Sequence, residues 1–237
     1  MTSLGGRVAL VTGASRGIGA AVADALATEG ARVIRVARSL REASGPRFED
    51  IPGDLTDPGQ VSRLASRILA HGPPDIVVSN AGAFLLRALE HTEPADLEAQ
   101  LAVNVKAPFY VARAMLPAMR EAGRGTFITV GSVADHVGFA ENAAYAASKY
   151  GLRGLHETLL AEYHGSGVRL TLVSPGPTDT SAWDPFDPDH REGFPARADM
   201  LHPTDVAEAI LFVATRPAHV HIDWLRLGPT GKTASHG

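Results

Sequence analysis

Three residues near the middle of this 237-residue chain have types and spacing suited to acid–base chemistry. Tyr145 and Lys149 bound the run Tyr145-Ala-Ala-Ser-Lys149, and Ser132 precedes the tyrosine by thirteen positions. If the segment from about Asn142 is helical, Tyr145 and Lys149 stand one turn apart on one face. A phenol beside an ammonium is an acid/base device, because the positive charge favours the phenolate and lowers the tyrosine pKa. Ser132 follows the apolar run Thr126-Phe-Ile-Thr-Val130, which reads as a buried strand opening into a loop. A hydroxyl there could hydrogen-bond a substrate oxygen next to the tyrosine. Taken alone, Tyr-x-x-x-Lys reads as a solvated helix face, and only the elements around it overturn that reading.

The first of those elements is Arg7-Val-Ala-Leu-Val-Thr12, an apolar run of the kind found inside a parallel sheet. It leads into Gly13-Ala-Ser15-Arg16-Gly17-Ile18-Gly19 and then a helix over Ala20 to Ala27, ending near Gly30. Strand, glycine turn and helix make a phosphate cradle: glycines let the backbone approach a pyrophosphate, and the helix N-terminus offers free N–H groups. The second strand, Arg32 to Ala37, ends in Arg38-Ser39 with no carboxylate to bind ribose hydroxyls. An arginine at that place suits a 2′-phosphate, and Arg16 supplies a second guanidinium able to reach it. NADP(H) is therefore the expected cofactor; the bland alternative is two surface arginines.

Further along, a short strand over Phe48 to Ile51 leads to Asp54, which could accept from an adenine amino group or cap a helix. Asp57-Pro58 opens a helix that ends at His71-Gly-Pro-Pro74, and Asp75 to Ser79 is the fourth strand. Asn80, Ala81 and Gly82 follow it, small enough to let a cofactor lie against the backbone. Pro94 to about Ala122 reads as one long helix containing Asn104, either a satisfied buried polar group or a kink with a purpose. After the Tyr145 helix, which runs to about His164, Val168 to Ser174 is a strand that opens into Pro175-Gly176-Pro-Thr178-Asp-Thr180. Residues 181–200 carry Trp183, Phe186 and Phe194 and read as a substrate lid, or else as a disordered surface loop. A last helix spans Thr204 to Thr215 and a last strand His221 to Leu227.

Strands alternate with helices throughout, which predicts an α/β fold: a doubly wound parallel sheet of about seven strands in one domain over 1–237. Ligands of such folds sit beyond the carboxyl ends of the strands. The glycine turn, Asp54, Asn80, Ser132 and Pro175 all fall there. The net charge of −4 and the lack of a basic block argue against nucleic acid. Without cysteine there is no disulfide, thiolate metal site or thiol nucleophile. His219 and His221 would share a face of the last strand, but two ligands do not make a metal site, and none is expected. No apolar leader or membrane-length stretch is evident, so a cytoplasmic protein is expected.

Thr12-Gly-x-x-x-Gly-x-Gly19, Asp54, Asn80-Ala-Gly82, Asn104, Ser132, Tyr145-x-x-x-Lys149 and Pro175-Gly-x-x-x-Thr180 occur in this order. In that set and order the chain resembles the short-chain dehydrogenase/reductase family over nearly its whole length. The resemblance implies an NADP(H)-dependent oxidoreductase interconverting a carbonyl and a secondary alcohol, with a Rossmann-type sheet. Tyr145 would be the general acid or base, Lys149 would lower its pKa and bind the nicotinamide ribose, and Ser132 would hold the substrate oxygen. Asn104 would position a water linking Lys149 to solvent. Thr178 and Thr180 would lie near the carboxamide and pyrophosphate, and homotetramers or homodimers would form on helices 94–122 and 142–164.

The tail departs from the Thr-Gly…Asp-Gly-Gly ending of acyl-carrier-protein ketoreductases. Arg216 to Pro229 is more similar to bacterial NADP-dependent 3-hydroxy acid dehydrogenases and their carbonyl-reductase relatives. Small ketones, aldehydes and 3-hydroxy acids are thus expected ahead of 3-oxoacyl carriers. The Asp135-His136 pair could meet a polar substrate group or face water. A cofactor-binding sensor without turnover is the alternative of another class, and it would have little need of Ser132, Tyr145 and Lys149 together.

Overall fold

Short apolar runs bounded by turn residues become the strands of one sheet in the computed structural model, which describes residues 4–40 and 45–230. Residues 1–3, 41–44 and 231–237 of the expected domain lie outside the described residues. The strands are β1 (Val8–Thr12), β2 (Arg32–Ala37), β3 (Phe48–Pro52), β4 (Ile76–Ser79), β5 (Gly125–Val130), β6 (Val168–Pro175) and β7 (Trp224–Leu227). They lie in the order β3-β2-β1-β4-β5-β6-β7, and every pairing is parallel. The order reverses between β1 and β4, which opens a crevice at their carboxyl ends.

The helices are α1 (Gly17–Thr28), α2 (Pro58–Leu69), α3 (Pro94–Leu101), α4 (Ala107–Glu121), α5 (Ala143–Glu162) and α6 (Pro203–Ala214). Because strand side chains alternate, β1 sends Ala9 and Val11 to one face and Leu10 to the other. Val22 and Leu26 of α1 and Val206 and Ile210 of α6 pack on the first face. Val61 and Leu64 of α2 and Met115 and Met119 of α4 cover the second, against Phe127 of β5. Each fully buried side chain of this size contributes about 1.5–3 kcal/mol, so the two layers hold the strand ends rigidly. The sheet is a Rossmann-type, doubly wound one.

Local signals set several boundaries as expected. Asp57 caps α2, accepting from the N–H of Gly59 at 2.8 Å and Gln60 at 3.2 Å, with Pro58 in the first turn. Three boundaries differ from the reading above. Helix α1 begins at Gly17, three residues earlier, because the glycine turn itself forms its first turn. The long helix over 94–122 is broken by a five-residue π-helical turn, Ala102–Lys106, in which the N–H of Ala107 donates to the carbonyl of Ala102. The last strand starts at Trp224, not His221. His221 instead lies just before it, with Nε2 2.8 Å from the Leu170 carbonyl oxygen, so the two histidines share no strand face.

Candidate active site

The glycine turn is shaped as much by its protein neighbours as by any ligand. Gly17 has φ +55°, a conformation that costs a side-chain-bearing residue. A Cβ on Gly19 would fall 2.3 Å from the Gly13 carbonyl oxygen and 2.4 Å from Asn80 Nδ2. Asn80 is therefore the strut of the turn, its Nδ2 donating to the carbonyl oxygen of Thr12 at 3.0 Å and lying 3.3 Å from that of Gly13. The Thr12 hydroxyl accepts from the N–H groups of Asn80 at 2.9 Å and Ala81 at 3.1 Å. Asn80 and Ala81 thus clamp β4 to β1.

Above the turn, the start of α1 is bare. Arg16 at the N-cap makes no side-chain cap, and the first turn holds no acid. The N–H groups and the positive dipole end there have no protein anion to satisfy them, which fits a phosphate. Ser15 and Ile18 lie in the same turn, and Thr180 packs against it, its Cγ2 3.1 Å from where a Gly17 Cβ would be. Arg16 and Arg38 are exposed, and neither side chain has an ion pair among the described residues. Asp54 accepts from the N–H of Thr56 at 2.9 Å and its hydroxyl at 2.7 Å, so it closes its own turn rather than capping a helix. Those bonds, and less strongly the charge of Arg38, hold its carboxyl below the usual range. Pro175 ends β6, Gly176 follows, and the Thr178 hydroxyl donates to the Gly176 carbonyl at 3.0 Å.

Ser132, Tyr145 and Lys149 come together where β5 ends and α5 begins. Ser132 leaves β5 in extended conformation and its hydroxyl accepts from the N–H of Ala134 at 3.2 Å. Lys149 is buried, its Nζ 3.3 Å from the Val130 carbonyl oxygen and 5.7 Å from the centre of the Tyr145 ring. Burial pushes the Tyr145 phenol up to about 12, against a hydrogen bond with Ser132 that pulls it down. Burial likewise brings the Lys149 ammonium down to about 8, with the Asp135 carboxylate opposing. The expected lowering of the phenol by Lys149 does not set its direction: loss of water around each group does.

Asn104 sits fully buried in the π-helical turn. Its Nδ2 is within 2.9–3.0 Å of the Ala83 carbonyl oxygen, Gln100 Oε1 and Ser148 Oγ, and its Oδ1 accepts from the Ala83 N–H at 2.9 Å. The side chain is both of the things read from sequence, a satisfied polar group and the reason for a kink. It bolts the segment after Gly82 to α5. Of the Asp135-His136 pair, Asp135 is wholly buried, whereas His136 is partly exposed and its Nε2 has no hydrogen-bond partner among the described residues.

Residues 181–200 are three short 3₁₀ turns held by one hub. Arg197 reaches Asp179 at 2.6 Å, Asp184 at 2.7 Å and Asp189 at 3.8 Å. Arg191 pairs with Glu141 in the loop before α5 and lies 4.6 Å over Phe194. Trp183 and Phe186 meet Phe84 at 4.8 and 5.4 Å between ring centres, and Phe84 meets Tyr145 edge-on at 5.0 Å. Phe84, Thr12, Ser148 and Gln100 were not singled out from sequence. Phe84 carries one signal, an apolar aromatic just past a strand end; Thr12 and Ser148 lie inside motifs, and Gln100 carries none.

A doubly wound parallel sheet with a bare helix start at its switch point defines a dinucleotide-binding class of α/β protein. The short chain dehydrogenase family model matches residues 7–191. An uncharacterized oxidoreductase of Staphylococcus aureus (strain USA300) is 31% identical over 237 residues, covering 97% of this chain and 100% of the relative. A metagenomic short-chain oxidoreductase solved in complex with NADP is 36% identical, with TM-score 0.80 over 97% of this chain and 99% of that one. The closed form of serine dehydrogenase complexed with NADP+ has TM-score 0.87 at 28% identity, covering 97% and 98%. The chain belongs to the short chain dehydrogenase family.

Proposed function

We propose that this protein is an NADP(H)-dependent oxidoreductase that interconverts a carbonyl and a secondary alcohol. The observation that carries the reading is the meeting of Ser132, Tyr145 and Lys149 at the strand ends, beside the bare start of α1. The cofactor, when bound, supplies or accepts the hydride. The pyrophosphate would lie on the N-terminus of α1 within Gly13–Gly19, and Arg16 and Arg38 would hold the 2′-phosphate. Support for that choice comes from the two guanidiniums, neither in an ion pair among the described residues, and from the NADP-bound neighbours.

In reduction Ser132 orients the substrate oxygen and Tyr145 donates its phenolic proton to it; in oxidation the same atom takes the proton back. A phenol pushed upward by burial is fully protonated near neutral pH, which suits the acid role. Lys149, still largely charged there, favours the phenolate that forms as the proton leaves. Asn104 holds the Gly82 segment in place and acts through structure. Residues 181–200 serve as the lid, with Phe84, Trp183 and Phe186 excluding water from the reacting oxygen.

Among the substrates expected from sequence, the small ketone or aldehyde ranks ahead of the 3-hydroxy acid. The lid cations Arg191 and Arg197 are spent on Glu141, Asp179, Asp184 and Asp189, while the wall beside Tyr145 is aromatic. The test is titration of NADPH against NADH on wild type and Arg38→Asp, followed by NADPH oxidation with acetophenone and NADP+ reduction with 3-hydroxybutyrate. NADPH binding that collapses in the variant supports the clamp. Equal binding of both cofactors refutes it, and turnover that survives Tyr145→Phe refutes the acid–base assignment.

A further inference from the structure

A carboxylate that the proposed reaction leaves unused lies under the Ser132 loop. Asp135 is 0% exposed. Its Oδ2 accepts from the Ser132 N–H at 3.0 Å and the Ser174 hydroxyl at 2.6 Å, and its Oδ1 lies 2.8 Å from His136 Nδ1. Trp224 Nε1 donates to Ser174 Oγ at 2.9 Å, and the His136 ring meets the Trp224 ring edge-on at 5.5 Å. A Cβ on Gly131 would fall 2.3 Å from Asp135 Oδ2, so the chain has its smallest residue where the carboxylate needs room. The carboxylate thus ties the end of β5 to β6 and β7.

The charged and titratable groups around it come from few elements. From α5 these are Tyr145, Lys149, His156 and Arg153, whose Nη1 lies 3.5 Å from the Asp135 carbonyl oxygen. His136 is on its own turn. β6 and β7 contribute the neutral Ser174 and Trp224, and Arg153 and Arg226 stack on the Trp224 ring. Holding the Ser132 N–H needs only an acceptor, which a neutral amide would also provide. A buried charge is costly unless several hydrogen bonds compensate it, and here they do. A compensated charge in a low-dielectric site acts on its neighbours more strongly than one in water.

We infer that Asp135 is a positioning residue that fixes Ser132 and, through its charge beneath that loop, biases the Tyr145–Lys149 pair toward its protonated form. The inference rests on the reading of Tyr145 and Lys149 as the acid–base pair. The loop joins the groups: Asp135 Oδ2 holds the Ser132 N–H at 3.0 Å, and Lys149 Nζ lies 3.3 Å from the carbonyl oxygen of Val130, two residues before Ser132. The carboxylate's upward pull on both groups agrees in direction. Its consequence is a reductive site that keeps its proton inventory to higher pH than burial alone would allow.

Lys106, Lys149 and Lys232 are the only lysines, so protein labelled with ¹³Cε-lysine gives three signals, and Lys149→Arg identifies the one that matters. In wild type Lys149 titrates at about 8. In Asp135→Asn, which keeps the shape and an acceptor for Ser132, it moves down by roughly half a unit to one unit. The alkaline limb of NADPH-dependent acetophenone reduction moves with it. In His136→Phe, which keeps the carboxylate and removes its ring donor, Lys149 moves up instead. A Lys149 signal unmoved in both variants overturns the inference, even if activity falls, because a purely structural residue would act that way. Should Asp135→Asn not fold, the direction of the His136→Phe shift decides alone. Turnover retained in Tyr145→Phe would mark failure of the acid–base reading, a result distinct from an unmoved Lys149.

Discussion

Replacing Lys149 by methionine is expected to make the protein more stable and inactive. The ammonium is buried, and its pKa falls from 10.5 to about 8 because the folded protein disfavours the charged form. A folded pKa below the unfolded one means that the group opposes folding wherever it is charged, and that the penalty disappears as pH rises past the unfolded value. At about pH 7 the penalty is about 3 kcal/mol, taking 1.36 kcal/mol per unit. At about pH 9.5 it is down to about 1.4 kcal/mol. Methionine keeps an unbranched chain of similar length, so packing changes little. The lost bond to the Val130 carbonyl, long at 3.3 Å, offsets about 1 kcal/mol of the gain. The net gain is about 2 kcal/mol at about pH 7 and close to nothing at about pH 9.5. Urea unfolding of both proteins at several pH values measures it directly. A variant less stable than wild type at neutral pH, or a gain that does not shrink as pH rises, would refute the reasoning that desolvation dominates this site.

Other substitutions probe the frame around the site. Gly19→Ala places a methyl 2.3 Å from the Gly13 carbonyl oxygen and should cost more than 2 kcal/mol or so of stability even without cofactor, measured by thermal unfolding; an unchanged Tm would show that the turn yields freely. Arg197→Ala removes the hub that holds Asp179, Asp184 and Asp189, and should raise KM and speed proteolysis between 181 and 200 while global stability changes little. Limited proteolysis at the wild-type rate would refute the hub. Phe84→Ala takes away the ring between Tyr145 and the lid aromatics and should lower kcat/KM for acetophenone by about tenfold or more. Equal kcat/KM in the two proteins would remove Phe84 from the substrate wall.

Much of the fold and part of the site were legible from residue order alone. Apolar runs such as Val8 to Val11 became strands close to the expected ends, since a strand buried on both faces is built largely of apolar residues. Asp57-Pro58 placed a helix start for a reason local to four residues. The pairing of Tyr145 with Lys149 follows from helical spacing, and the exposed arginines follow from their places at a strand end and in the glycine turn. These are local matters, settled within a few residues of backbone.

What depended on distant partners was not legible. Asn80 and Gly19 are small or polar because they touch each other across two strands, not because a cofactor alone demands it. Asn104 bends its helix because Ala83 and Ser148, far away in sequence, share its amide. Asp135 could be read as exposed or as substrate-facing until Ser174 and Trp224 arrived from β6 and β7 to enclose it. The direction in which Tyr145 and Lys149 shift was likewise decided in three dimensions. Spacing tells which charges are neighbours, but how much water remains around them depends on every element packed nearby, and here that loss of water sets the direction at both groups.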